Sequence, residues 1–128
     1  MRELKYSRQR EAVLAALAVR NDHPTADTLY HALRKDLPHI SLGTVYRNLN
    51  LLTDLGKIRR IPGADGTDHF DADTREHYHL VCRTCGRVLD LPMEAIPDLD
   101  SRAAQGGAGT VEGHALIFFG CCGSCAVQ

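Results

Sequence analysis

Apolar positions in the first half of the chain recur at helical spacing in three separate stretches. Val13, Leu14 and Leu17 share one face of a segment that Ser7 can cap and that runs to about Val19. The polar break Asn21-Asp22-His23-Pro24 ends it. Thr25 can cap a second helix through Leu33, with Leu29, Ala32 and Leu33 on one side, and Leu37-Pro38 closes that segment. Ser41 can cap a third helix, in which Leu42, Val45, Leu49 and Leu52 recur at steps of 3, 4 and 3. Gly56 stands where a left-handed residue is wanted after a helix.

The period then shortens. Lys57 to Ile61, a turn at Pro62-Gly63-Ala64-Asp65-Gly66, and Thr67 to Asp71 read as a β-hairpin with a basic first strand. Three short helices followed by a hairpin is the plan of a winged helix-turn-helix, with the third helix as groove reader and the hairpin as wing. Asp71 to Glu76 is acidic and reads as a linker. Beyond it, His77 to Cys82 reads as a strand, Arg83 to Gly86 as a turn and Arg87 to Leu91 as the returning strand. A short helix is expected from Pro97 to Gln105, and a strand from Thr110 to Phe119 after the Gly106-Gly107-Ala108-Gly109 stretch. The expected class is α+β: a winged-helix domain over 1–70, a linker over 71–76 and a small α/β unit over 77–128.

Charge sharpens that division. Residues 1–60 hold 11 Lys+Arg and 6 Asp+Glu, a net of +5, whereas residues 61–128 hold 4 and 10, a net of -6. A basic half beside an acidic half points to two tasks, one of them involving a polyanion. With 44% hydrophobic and 24% charged residues the composition is globular, not disordered. No apolar run approaches the ~20 residues that span a bilayer. Met1 to Arg10 is polar and lacks the apolar core of a signal peptide. A cytoplasmic location is the expectation, and cysteines there serve as metal ligands or reactive thiols more often than as disulfides.

Cys82-Arg83-Thr84-Cys85 and Cys122-Gly123-Ser124-Cys125 are two CxxC pairs separated by 36 residues. Two residues between thiolates let both sulfurs turn toward one ion, and two such knuckles complete a tetrahedral four-cysteine zinc site. Redox-active CxxC pairs and free buried thiols are the competing readings, but no thioredoxin-like βαβ pattern surrounds either pair. Cys121 is left over and is expected to be a small buried residue.

His77-Tyr78-His79 alternates, so both imidazoles can face one ion. Asp71 lies upstream, Asp90 on the paired strand, and His23 at a helix break in the basic half. Three imidazoles and two carboxylates suit Fe(II), Mn(II) or Zn(II). An HxH pair alone is weak, since a surface strand with two histidines looks the same; the combination is what carries the reading.

His23-Pro24-Thr25-Ala26, Thr44-Val45-Tyr46-Arg47-Asn48-Leu49, His77-Tyr78-His79 and the two CxxC pairs, in that order and spacing, resemble the ferric uptake regulator (Fur) family over about Ser7 to Cys125. The resemblance implies a homodimeric, metal-dependent transcription factor that binds operator DNA through the winged helix and dimerises through the second domain. It implies a structural zinc in Cys82, Cys85, Cys122 and Cys125. It implies a regulatory metal held by His23, Asp71, His77, His79 and Asp90, so that the ion joins the two domains and sets their angle. Asp71, Asp90 and Tyr78 look like the peroxide-responsive branch, in which bound Fe(II) reacts with hydrogen peroxide and a ligating histidine is oxidised; the matching positions are His23 and His77. Arg47 looks instead like the iron-uptake branch. Relative to many members, the chain lacks most of the helix before Ser7, and Arg8 stands where proline is usual. His114 matches a position that ligates a further metal in some members, with Tyr78 in place of one expected acid.

For DNA, the expected phosphate contacts are Lys5, Arg8, Arg10, Lys57, Arg59 and Arg60, with affinity falling as salt rises. Base readout is expected from the exposed face of the third helix, through Thr44, Tyr46, Arg47 and Asn48. Two further classes compete. A zinc hydrolase built on His77, His79 and a carboxylate needs an acid–base group in a pocket, and Glu76, Glu94 and Glu112 frame none. A metal-buffering or zinc-ribbon module that never touches DNA leaves the charge division and the third-helix pattern unexplained.

Overall fold

The computed structural model describes the backbone of residues 2–126 and the side chains of residues 8–126. Helix α1 spans Arg2–Ala18, α2 Ala26–Leu33 and α3 Leu42–Asp54. The second and third begin as expected: Thr25 Oγ1 accepts from the Thr28 N–H at 3.2 Å and Ser41 Oγ from the Thr44 N–H at 3.1 Å. The first does not. Ser7 lies inside α1, because Arg2-Glu3-Leu4-Lys5 are all good helix formers and nothing between them and Ser7 breaks the helix. Gly56, at φ +74°, takes the left-handed turn that stops α3's continuation.

The apolar stripes of the three helices meet in one cluster. Val13, Leu17, Leu29, Leu33, Val45, Leu49 and Leu52 are buried together, and Ile58 and Phe70 close it. Strands β1 (Arg59–Pro62) and β2 (Asp68–Asp71) form the antiparallel hairpin, with Arg59 opposite Asp71 and Ile61 opposite His69. Asp71, expected both to end the hairpin and to open the linker, is the last residue of β2.

The second half contains β3 (His79–Cys82), β4 (Val88–Asp90), a helix α4 (Leu99–Ala104), β5 (Ile117–Gly120) and a single turn of helix, α5 (Gly123–Ala126). The sheet order is β4-β3-β5, antiparallel on one side of β3 and parallel on the other. The strand expected over 110–119 is formed only at its end. β5 pairs with β3, and β3 offers it only the four positions His79 to Cys82, so the preceding residues have no ladder to join. Val81 and Val88 pack with Ile61 of β1 and with Ile117. The hairpin therefore has Phe70 in the helical cluster and Ile61 in the sheet cluster, which ties the two halves through apolar contact as well as through the chain.

Candidate metal centres

The first CxxC pair is built on the end of β3. Cys82 closes the strand, the chain turns through Arg83-Thr84-Cys85, and Gly86 at φ +82° donates its N–H to the Cys82 carbonyl at 2.9 Å. A side chain at Gly86 would strain this left-handed turn. The second pair follows β5, which its ladder with β3 brings alongside: the Arg83 N–H donates to the Gly120 carbonyl at 2.8 Å. The Sγ atoms of Cys82, Cys85, Cys122 and Cys125 then lie within 4.8 Å of one another. Sulfurs on a tetrahedron at ~2.3 Å from zinc stand about 3.8 Å apart, and Cys85 and Cys122 are 3.8 Å apart.

The electrostatics fit the same ion. Cys82 is held down at about 5, because its sulfur accepts the backbone N–H groups of Cys122 (3.3 Å) and Cys85 (3.4 Å). Cys122 is also lowered, by the Arg87 guanidinium first and then by the Cys125 N–H. Cys125 is pushed up to about 12 by its bond to the Cys122 sulfur and by burial. Four sulfurs this close do not all ionise beside one another, and a dication among them removes that conflict. Cys121 corrects an expectation. It is exposed, while Cys122 is buried, because successive residues leaving a strand point to opposite sides.

The second centre draws on both halves. His23 sits between α1 and α2 at φ 51°, a left-handed conformation that a non-glycine residue adopts only when held. Its carbonyl accepts from His69 Nδ1 at 2.7 Å, and the Pro24 carbonyl accepts from the Phe70 N–H at 2.9 Å, so β2 grips this loop. Asp71 follows on the same strand. His79 faces Asp90 in the β3–β4 register, and His77 precedes β3, with its Nδ1 donating to the Arg75 carbonyl at 2.7 Å. That bond fixes the tautomer whose Nε2 lone pair points inward.

The three Nε2 atoms converge on two carboxylate oxygens. Asp90 Oδ1 lies 2.8 Å from His23, 3.1 Å from His77 and 3.3 Å from His79, and Asp71 Oδ2 lies 3.5, 3.0 and 3.2 Å from the same three. Adjacent ligands at ~2.1 Å from one ion stand about 3 Å apart, so these separations are those of a shared coordination sphere. Burial by itself would raise the Asp71 carboxyl. Bonds from His79, from the Asp73 N–H and from His77, with the nearby His23, outweigh it and bring the carboxyl to about 2. Burial by itself would lower His77, but the Arg75 carbonyl, Asp71 and Asp90 raise it. A cavity of about 320 Å³ opens beside His23, Asp71 and Asp90, walled by Ala18 and Ala72.

A third cluster gathers around His114, the position matched to a further metal. Glu76 and Asp100 supply the acids that the sequence reading did not find for His114: Nε2 is 3.0 Å from Glu76 Oε1 and Nδ1 is 2.7 Å from Asp100 Oδ1. Tyr78 Oη, 3.0 Å from Nε2, accepts the Ile96 N–H at 2.9 Å. His114 lies in irregular chain, not in a strand. Asp100 comes from α4, a contact no local spacing reveals.

The basic surface differs from expectation in its details. Tyr46 and Arg47 are exposed on α3, and Thr44 is half-buried. Asn48, expected on the exposed face, is corrected: it is 5% exposed and donates to the Thr44 carbonyl at 3.0 Å. Its position, three after Val45 and one before Leu49, lies on the flank of the buried stripe. Arg59 donates to the Thr74 carbonyl at 2.9 Å, and Arg60 holds Asn50 at 2.6 Å and Asp68 at 3.4 Å, so both are engaged within the protein. Arg8 and Lys57 are exposed and Arg10 is half-buried. The Lys5 side chain lies outside the described residues.

The model of the ferric uptake regulator family matches residues 1–119. The chain belongs to the ferric uptake regulator family. A peroxide-responsive repressor, PerR, of Staphylococcus saprophyticus is 35% identical over 117 residues, covering 91% of this chain and 79% of that protein. The peroxide stress regulator of Campylobacter jejuni superposes with a TM-score of 0.83 at 32% identity, covering 97% of this chain and 93% of its own. A zinc-bound manganese uptake regulator does so with a TM-score of 0.63 at 30% identity, covering 89% and 87%. Proteins of this family are metal-responsive transcriptional regulators, not enzymes. Their cofactors, zinc with iron or manganese, match the donor sets of the thiolate and histidine–aspartate clusters. Among the described residues no helix is long and apolar enough to cross a membrane.

Proposed function

We propose that the chain is a cytoplasmic, homodimeric, metal-dependent repressor that senses hydrogen peroxide. In this reading Cys82, Cys85, Cys122 and Cys125 hold a structural Zn(II), and His23, Asp71, His77, His79 and Asp90 hold Fe(II) or Mn(II). The observation that carries it is the convergence of His23, from the helical half, with four ligands from the hairpin and the sheet. An ion held by all five has a different affinity for each arrangement of the two halves, and that difference is what couples occupancy to DNA binding.

Helices α1 to α3 with the β1–β2 hairpin act as the winged helix-turn-helix. α3 presents Tyr46 and Arg47 to the groove, and Arg8, Arg10 and Lys57 serve the phosphates. A second copy docks along the second half. The edge strand β5 supports this, since its Phe118 and Phe119 are 41% and 50% exposed.

Fe(II) held there would supply one-electron chemistry toward peroxide, and His23 and His77 would be the imidazoles exposed to that oxidation. The chain's own part is to keep those rings against the ion and to leave the cavity beside His23 as a way in for a small oxidant. An oxidised imidazole is a lost ligand, and loss at His23 in particular releases the loop between α1 and α2 from the shared site. The alternative within the family, an iron- or zinc-responsive uptake regulator, draws support from Arg47. The Glu76–Asp100–His114 cluster is a second divalent site on the opposite side of the His77–His79 segment, and its three donors within 4.8 Å favour that reading over an isolated histidine.

The deciding experiment measures operator binding by the Fe(II)- and the Mn(II)-loaded protein, before and after peroxide, with mass spectrometry of the product. Peroxide should abolish binding with Fe(II) only and add 16 Da or a multiple of it to the peptide of His23 or His77, ~16 Da being the mass of one oxygen. Intact binding with no added oxygen refutes peroxide sensing and leaves the uptake reading.

A further inference from the structure

Each sulfur of the four-cysteine centre meets a different set of neighbours. Cys82 accepts two backbone N–H groups. Cys122 accepts Nη2 of Arg87 at 3.4 Å. Arg87 is placed by the knuckle itself: it is the first residue after Gly86, and its carbonyl accepts the Cys82 N–H at 2.9 Å. Its side chain thus starts from one CxxC pair and ends on the other. It brings a full positive charge to these sulfurs.

Zn(II) with four thiolates has a formal charge of -2. That excess makes the sulfurs nucleophilic, and a nucleophilic zinc thiolate is what oxidants and alkylating agents attack. A guanidinium hydrogen bond withdraws electron density from the sulfur and offsets one unit of the charge.

We propose that Arg87 is a positioning residue of the zinc centre, whose N–H···S bond to Cys122 slows oxidation of the thiolates and so confines the response to peroxide to the histidine–aspartate centre. This rests on the zinc assignment proposed above. The reaction it holds back is balanced as follows. The Cys122 thiolate attacks one peroxide oxygen, the S–O bond forms, the O–O bond breaks, and the departing hydroxide takes a proton to become water. The Cys85 thiolate, 3.8 Å away, then attacks that sulfur, forming the disulfide. The oxygen leaves as a second hydroxide, which takes a second proton. Two thiolates are oxidised by two electrons, one peroxide is reduced to two waters, and Zn(II) loses two ligands and dissociates.

The test compares wild type, Arg87→Ala, Arg87→Gln and Arg87→Lys as full-length, zinc-loaded proteins. Zinc release under hydrogen peroxide is followed with a chromophoric chelator, and release under N-ethylmaleimide separates nucleophilicity from redox chemistry. The thiolate-to-metal charge-transfer band of the Co(II)-substituted proteins reports the sulfur donors directly. Loss of about one charge-assisted bond corresponds to roughly tenfold in rate. Arg87→Ala and Arg87→Gln should therefore release zinc about tenfold faster with both reagents and shift the band, and Arg87→Lys should restore most of the protection. Equal rates within twofold for wild type and Arg87→Ala, or Arg87→Lys as fast as Arg87→Gln, overturn the proposal. If Arg87→Ala does not fold, the Lys-against-Gln comparison decides it. A wild type without zinc at one per chain refutes the zinc assignment itself, and is seen before any variant is compared.

Discussion

The coupling between metal and DNA rests on His23, and its backbone dictates how to test it. At φ 51° the residue sits in the left-handed region, which costs a non-glycine residue about 1–3 kcal/mol. His23→Ala keeps that cost while removing the bonds that hold the residue there, so it confounds ligand loss with backbone relaxation. His23→Gly adopts the same φ freely and deletes only the imidazole, which lies 2.8 Å from Asp90 and is 2% exposed. Asp71, on the hairpin, and His77, His79 and Asp90, in and beside the sheet, remain as a four-ligand set. Metal affinity should fall by more than the roughly 10–100-fold that loss of an outer-shell partner alone produces. At saturating Mn(II), confirmed by equilibrium dialysis, occupancy is no longer limiting. Couplings of this kind are worth about 1–3 kcal/mol, or roughly 5–150-fold in affinity. The wild type should show a Mn(II)-dependent rise of that size in fluorescence anisotropy titrations at fixed salt, on an operator fragment selected from random DNA by the Mn(II)-loaded protein. His23→Gly should show less than about a twofold rise at full occupancy. A saturated His23→Gly protein that still gains the wild-type increment refutes the role of His23 as the link.

Three further outcomes follow from the same contacts. The Asp71 carboxyl is held at about 2 against an ordinary 3.8, so metal-free stability includes about 2 kcal/mol that is present above pH 4 and lost as pH falls from 4 toward 2; His77, which is raised, contributes below its ordinary pKa of 6.5 and loses that contribution as pH rises through its raised value. Thermal melts of metal-free wild type and Asp71→Asn should show a flatter acid limb in the variant, and parallel limbs refute the assignment. Gly63→Ala should destabilise by about 1–3 kcal/mol and weaken metal binding, because a Cβ there meets the Thr67 carbonyl at 2.6 Å and the His69 ring at 2.9 Å, and His69 holds the His23 carbonyl; a variant with unchanged Tm and Mn(II) affinity counts against it. Asn48→Ala should cost about 1 kcal/mol in urea unfolding through its lost bond to the Thr44 carbonyl, yet leave base preference unchanged; a changed preference restores Asn48 as a reader.

Much of the ligand chemistry was legible along the chain. CxxC spacing brings two sulfurs to one point through a local turn, and the step of two in His77 and His79 acts over a similarly short distance. Caps at Thr25 and Ser41 are equally local, since the side chain and the N–H it accepts are three residues apart. The errors are of another kind. Ser7 has capping chemistry but lies inside a helix, because propensity upstream continued it. Asn48 sits at the edge of the apolar stripe, where periodicity assigns no face. Arg59 and Arg60, expected to meet phosphates, also have partners within the protein in Thr74, Asn50 and Asp68, which lie 8 to 15 residues away and which no local pattern announces.

The sequence by itself determined the donor set, the two-part charge division and the helical stripes, and with them the family. All of these depend on residue type and on separations of a few positions, over which backbone geometry is fixed by its own dihedrals. Only the tertiary structure decided which donors share a sphere. His23 reaches Asp90 across 67 residues, Asp100 reaches His114 from α4, and Arg87 reaches the Cys122 sulfur from the opposite knuckle. Those meetings are set by the Ile61 and Phe70 clusters and by the β3–β5 ladder, which are long-range packing events with no local period to announce them.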